Sequence, residues 1–383
     1  MMEIGANKRI PNISRRGWLG ILAVILVLGA AAALVPALTK AGGPSCQAAP
    51  ASARELAKDP RAATRALDPG QDLARIGRVK KLLGSQEKPL CGGKDGVEVA
   101  GRALVAAAAG EGRLHTMPMA RVAHAAVMTV GEEYGETDVP DGLKPYLARI
   151  LAAYIADAHR DITGTTHKTI PAVLSEEAHY EDMHESGNWA AAYPYPGEAH
   201  AVFSRRWDSQ ALTNVVRALA SNPESFAVLY DAERAYLAYY LERLDQDAVQ
   251  PAVHGKKYAP LGTELELKAA GRMIAALMTT RKDLWDRGEP GDLTAFDDAA
   301  FKASKGAYRA ASHQITTTPA AGTIAARPAV SAHRKYFADG HHQILDLYDR
   351  WVDQRHIKPG DAEHYRLVLD EAYNDSRELY EYE

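Results

Sequence analysis

The apolar positions along this chain fall mostly at three- and four-residue steps, and strict alternation is scarce, so the pattern predicts helices rather than strands. Helical segments are expected over roughly 70–84, 97–110, 118–134, 142–161, 170–185, 198–220, 223–247, 262–286, 294–311, 333–356 and 361–382. The clearest begins at Asn222, a good N-cap, with Pro223 at the first helical position. Phe226, Leu229, Tyr230, Leu237, Tyr240, Leu241 and Leu244 then form one apolar stripe, which leaves Asp231, Glu233, Arg234, Glu242 and Arg243 for solvent. The preceding helix ends at Ala218-Leu219-Ala220-Ser221, leaving almost no connection, so the two are expected to pack as an antiparallel pair. The fold class that follows is all-α, a multi-helix bundle without βαβ alternation.

One stretch breaks the amphipathic pattern. Gly17 to Leu38 is apolar throughout and long enough to cross a hydrocarbon core of about 30 Å. Lys8, Arg9, Arg15 and Arg16 precede it and Lys40 alone follows closely, which places residues 1–16 in the cytoplasm as a basic tail and the rest outside. The segment is either a retained transmembrane anchor at the plasma membrane, with the C-terminus outside, or an export signal removed near Val35-Pro36-Ala37 or Thr39-Lys40-Ala41. Ser14-Arg15-Arg16-Gly17-Trp18-Leu19 resembles a twin-arginine signal, although the apolar run behind it is stronger than such signals carry. Residues 39–69 read as a spacer, with 40–53 rich in Gly, Ala, Pro and Ser. A bundle domain over 70–315 follows, and then a helical hairpin over 330–383 that is either separate or part of the same domain.

Composition changes this picture little. With 383 residues, 46% hydrophobic and 25% charged, the chain has a globular make-up, and a formal charge of −4 gives no reason to expect nucleic acid as a partner. The two cysteines, Cys46 and Cys91, both follow the apolar segment, and in an oxidising compartment they are expected to form a disulfide; the alternative is a pair of free buried thiols.

Trp207, Ala211-Leu212-Thr213-Asn214-Val215-Val216, Ser221-Asn222-Pro223-Glu224-Ser225-Phe226 and Ala232-Glu233-Arg234-Ala235-Tyr236 together resemble a helical segment of large actinobacterial secreted proteins, some associated with type VII secretion. The resemblance implies a helical fold and a cell-envelope setting, with a secretion-associated or toxin-like module as one functional alternative. It assigns no functional residue.

The chain has no H-E-x-x-H, G-x-S-x-G, Walker A, G-x-G-x-x-G or C-x-x-C signature, so no catalytic residue and no cofactor is indicated by motif. One cluster offers metal-ligand chemistry, since Glu176/His179 and Glu181/His184 each place a carboxylate and an imidazole one helical turn apart, with Glu198 and His200 soon after. A divalent metal held by Glu176, His179, Glu181 and His184 is therefore an alternative, as a metal-binding protein or metal-dependent enzyme. Against one shared site, His179 and His184 point about 140° apart on a helix. Asp339/His342, Asp353/His356 and Asp361/His364 repeat the spacing, so five pairs stand against about two expected by chance, and an acid one turn ahead also steadies a histidine-bearing helix. Trp189, Tyr193 and Tyr195 form either an aromatic platform for a sugar or peptide or a loop pinned to the core. Tyr236, Tyr239 and Tyr240 read as packing residues with wet hydroxyls. The leading expectation is a membrane-anchored extracytoplasmic helical protein that binds a protein or cell-wall partner.

Overall fold

The structure is a computed structural model that describes residues 46–110, 114–134, 139–163, 190–192, 199–203, 210–243, 259–286, 293–303 and 340–381. In chain order these form α1 (Ala53–Leu56), α2 (Pro60–Leu67), α3 (Gly77–Leu83), α4 (Val97–Ala108), α5 (Met117–Glu133), α6 (Lys144–Ala153) and α7 (Ile155–Asp161). A small antiparallel pair, β1 (Ala190–Ala192) and β2 (Ala199–Ala201), pairs Ala191 with His200. There follow α8 (Gln210–Ala220), α9 (Pro223–Arg243), α10 (Ala259–Asp286), α11 (Leu293–Ala303), α12 (Gly340–Arg355) and α13 (Pro359–Glu381). The described protein is an all-α bundle with this one hairpin. No helix among the described residues is long and apolar enough to cross a membrane, and the 17–38 segment lies outside them.

Part of the expected spacer is folded. Asp59 caps α2 by accepting a hydrogen bond from Ala62 N at 3.0 Å, with Pro60 at the first helical position. Ala63 and Leu67 are buried, and Thr64 Oγ1 donates to Ala107 O of α4 at 2.9 Å. The Asp-Pro pair is a helix start, and it outweighs the flexible composition of the residues before it. The disulfide between Cys46 and Cys91 is formed and closes a loop across a separation of 45 residues.

The helix expected over 142–161 is two helices. Tyr154 leaves helical geometry at φ −112° and ψ 38°. Its hydroxyl donates to Ala108 O at 2.8 Å and its ring stacks on His115 at 4.0 Å. These contacts hold the break and re-aim α7. The stretch expected as a helix from 198 begins instead as β2, because Ala201 N and Phe203 N donate to the carboxylates of Asp157 and Asp161 rather than to helical carbonyls.

The long helix α9 lies at the centre, packed by α6, α7, α8, α10, α11 and α12. Its Asn222 cap is as expected, with Oδ1 accepting from Glu224 N and Ser225 N, both at 3.1 Å. Its pairing is not as expected. The sharp turn at Ser221 makes α8 and α9 neighbours, but α8 packs more extensively on α5 and α10, and α9 on α6 and α11. The C-terminal hairpin belongs to the same compact unit: α12 rests on α9 and α10, and α13 runs along α10. Gly271 permits that approach, since a Cβ there would sit 2.9 Å from both Leu369 O and Ala372 Cβ.

Candidate functional site

Three charged residues in the middle of α9 do not face water. Asp231, Glu233 and Arg234 are 7%, 0% and 3% exposed. The physical reason lies between them, where Ala227, Ala232, Ala235 and Ala238 are small enough to let neighbouring helices close over the side that should have stayed wet. What the sequence pattern assigns to solvent is an interior polar node.

The node is built around α7. Asp157 and His159, two positions apart, point to opposite sides of the helix at about 100° per residue. On one side, His159 reaches α9 and α10. Its Nδ1 bonds Glu233 Oε1 at 2.7 Å, and its Nε2 lies 3.1 Å from Glu266 Oε2. Tyr236 donates its hydroxyl to Glu266 Oε2 at 3.2 Å and tilts its ring against the imidazole at 4.6 Å. Burial opposes a charge on His159, but the two carboxylates outweigh it, Glu233 before Glu266, and push its pKa up to about 10. The ring is an imidazolium clamped between acids from two other helices. Burial and then the charge of Glu266 push Glu233 the opposite way, towards its neutral form, although His159 pulls it down. The geometry favours the charged imidazole, because a carboxylate stands at each of its nitrogens. Tyr240, also buried, has its hydroxyl held well above the ordinary range by burial and then by Glu266.

On the other side of α7, Asp157 accepts from His200 Nδ1 and, through Oδ2, from Ala201 N at 2.9 Å. Arg160 bonds Asp161 at 2.7 and 3.0 Å and donates to Ala201 O at 2.9 Å, while Asp161 accepts from Phe203 N at 2.7 Å. Burial raises the pKa of Asp157, but the charges of His200 and Arg160 and the hydrogen bonds it accepts bring it below the ordinary carboxylate range. This half anchors the hairpin to the bundle, and an acid on Nδ1 is the arrangement that orients an imidazole for proton transfer.

His159 spends its two nitrogens on separate carboxylates, so the three groups bridge helices rather than converge on a point. Among the described residues, no group of three or more His, Cys, Asp or Glu side chains could hold a metal ion. Glu176, His179, Glu181 and His184 lie outside the described residues, as do Trp189, Tyr193 and Tyr195. Of the other acid-histidine pairs, Asp339 lies outside the described residues. His364 bonds Glu264 of α10 at 3.0 Å, and His356 stands past the end of α12 at φ 52°. His341 of α12 meets Asp370 of α13 at 2.7 Å and stacks on Tyr373. Tyr236, Tyr239 and Tyr240 are all buried, and the hydroxyls of Tyr236 and Tyr240, expected to be wet, are not.

Sequence reasoning missed the node. Two signals were available: the Asp157-Ala158-His159-Arg160-Asp161 run directly after a wholly apolar turn, and the alanines that leave α9 no continuous polar stripe. Comparison with protein-family models, curated proteins and solved structures yields no match to this chain.

Proposed function

We propose that the chain is an extracytoplasmic helical protein, held at the plasma membrane through residues 17–38, that works by binding a protein or cell-wall partner. The observation that carries this reading is the Cys46–Cys91 disulfide at the start of the folded unit, eight residues beyond the apolar segment. Such bridges persist in oxidising compartments and are rare where thiols are kept reduced. The interior node supports a binding role over a catalytic one, because both of its imidazoles, His159 and His200, are buried, at 1% and 4% exposure. A tether raises the local concentration of the body at the membrane surface and strengthens a weak contact without any chemistry.

Fractionation of cells expressing the full chain, with N-terminal mass measurement and alkylation before and after reduction, tests the reading. Retention in the membrane with residue 17 present, and both thiols reactive only after reduction, is the expected result. A mature chain starting after residue 38 would make it a secreted protein. Intact chain in the cytosol with both thiols open to alkylation would overturn the proposal.

A further inference from the structure

We propose that the Cys46–Cys91 bridge is a redox-set length stop on the tether, opened by a dithiol reductant outside the cytoplasm; this rests on the membrane-tethered reading above. The chain joins the compact unit at Cys46. A pull arriving from residue 45 has two ways in: along the backbone through α1, α2 and α3, or across the sulfurs to Cys91. The sulfur path is covalent and leads directly to the start of α4. Cys91 O accepts from Val97 N at 3.0 Å, and Gly96 lies so close that a Cβ there would fall 1.8 Å from that oxygen. Val97, Ala100, Ala103 and Leu104 then bury α4 in the core. While the bridge stands, the 45-residue loop carries no load.

Without the bridge, the same pull falls on weak contacts. Gln47 N donates to Pro89 O at 2.9 Å, Cys91 N to Gln47 O at 2.9 Å and Ala49 N to Asp95 O at 3.1 Å, with an exposed Arg54–Asp95 ion pair beside them. The Gln47 side chain adds a bond to Lys88 O at 3.1 Å, and α1 buries Ala53, with Ala49, Leu56 and Ala57 packed half-buried against the core. The first firm hold is α2, through Ala63, Leu67 and the Thr64 hydroxyl on Ala107 O. Opening the bridge adds about 45–50 Å if residues 46–59 peel away, and about 150–160 Å if the whole loop is drawn out.

Cys46 is the more exposed of the two residues. A thiolate of the reductant attacks its sulfur, the S–S bond breaks, and the Cys91 sulfur leaves as a thiolate that takes up a proton. The second thiol of the reductant then displaces the Cys46 sulfur. Two electrons pass to the protein, which ends with two thiols, and the reductant ends as a disulfide.

The test stretches the full chain between a nanodisc holding its N-terminal segment and a handle at Glu383, in oxidising buffer and then after dithiothreitol is washed in. The expected result is a low-force extension of about 45–160 Å, ahead of cooperative unfolding, in reduced protein only. Cys46→Ser/Cys91→Ser should show it in both buffers, and wild type reduced in place keeps the test decisive if that variant does not fold. Reduced protein that extends only in the same single step as oxidised protein overturns the length stop. A chain that does not stay in the nanodisc overturns the tether beneath it, and the same comparison with a handle at Met1 still reads the bridge.

Discussion

Helices α9 and α13 look alike on paper, each carrying acids and arginines between regularly spaced apolar residues, yet the protein treats them in opposite ways. In α13, Glu363, His364, Arg366, Glu371, Asp375 and Glu378 are exposed and only one face is covered. In α9, Asp231, Glu233 and Arg234 are buried along with the apolar stripe. The difference lies in what separates the charges. On α13 alanine adjoins only Glu363 and Glu371 among those exposed residues, and the exposed Leu367 lies beside Arg366, whereas on α9 Ala232 and Ala235 flank the run Glu233-Arg234 and six other helices close in. A charge in an amphipathic pattern therefore marks solvent only where its neighbours are too large or too polar to be covered. Where they are small, it marks an interior site that needs a partner of opposite charge.

The largest effect should come from breaking the clamp. His159→Ala leaves Glu233 and Glu266 buried without their shared cation, and urea unfolding should show a loss of about 3–5 kcal/mol. A loss under 1 kcal/mol would place the carboxylates in water, like those of α13.

pH sharpens the contrast. The folded pKa of His159, about 10, lies above the ordinary 6.5, so the folded state holds this proton more tightly than the unfolded one. Its stabilisation is whole below pH 6.5 and is lost as pH rises towards 10. Urea midpoints from pH 6 to 10 should fall in wild type, and His159→Ala should remove that part of the fall.

Removing the cap of α9 should cost less. Asn222→Ala loses the two bonds to Glu224 N and Ser225 N, and about 1 kcal/mol in the same measurement. Smallest of all should be Arg366→Ala on α13. Its pair with Asp349 is 45% and 43% exposed, and about 0.2–1 kcal/mol is expected.

The sequence made much of the architecture legible. Periodicity located α4, α5, α10 and α13 closely, and the Asn222-Pro223 start of α9 is where the capping residues put it. Two cysteines beyond one apolar segment were enough to anticipate the bridge. The node was not legible, because it depends on which helices meet. Glu233 and Glu266 stand 33 positions apart and both lie more than 70 from His159, so no local spacing connects them. The same holds for His364 with Glu264 and His341 with Asp370, pairs that join different helices across 100 and 29 positions. The break at Tyr154 was hidden for a related reason, since its cause is the carbonyl of Ala108 on another helix.

The most direct test of the interior clamp is the imidazole nitrogen resonance of His159 in 15N-labelled protein, assigned by difference against His159→Gln. At pH 8 both ring nitrogens should still carry protons, with shifts unchanged from pH 6. A ring that has already become a neutral tautomer by pH 7 would contradict the clamp and return α9 to the ordinary class of half-wet helices.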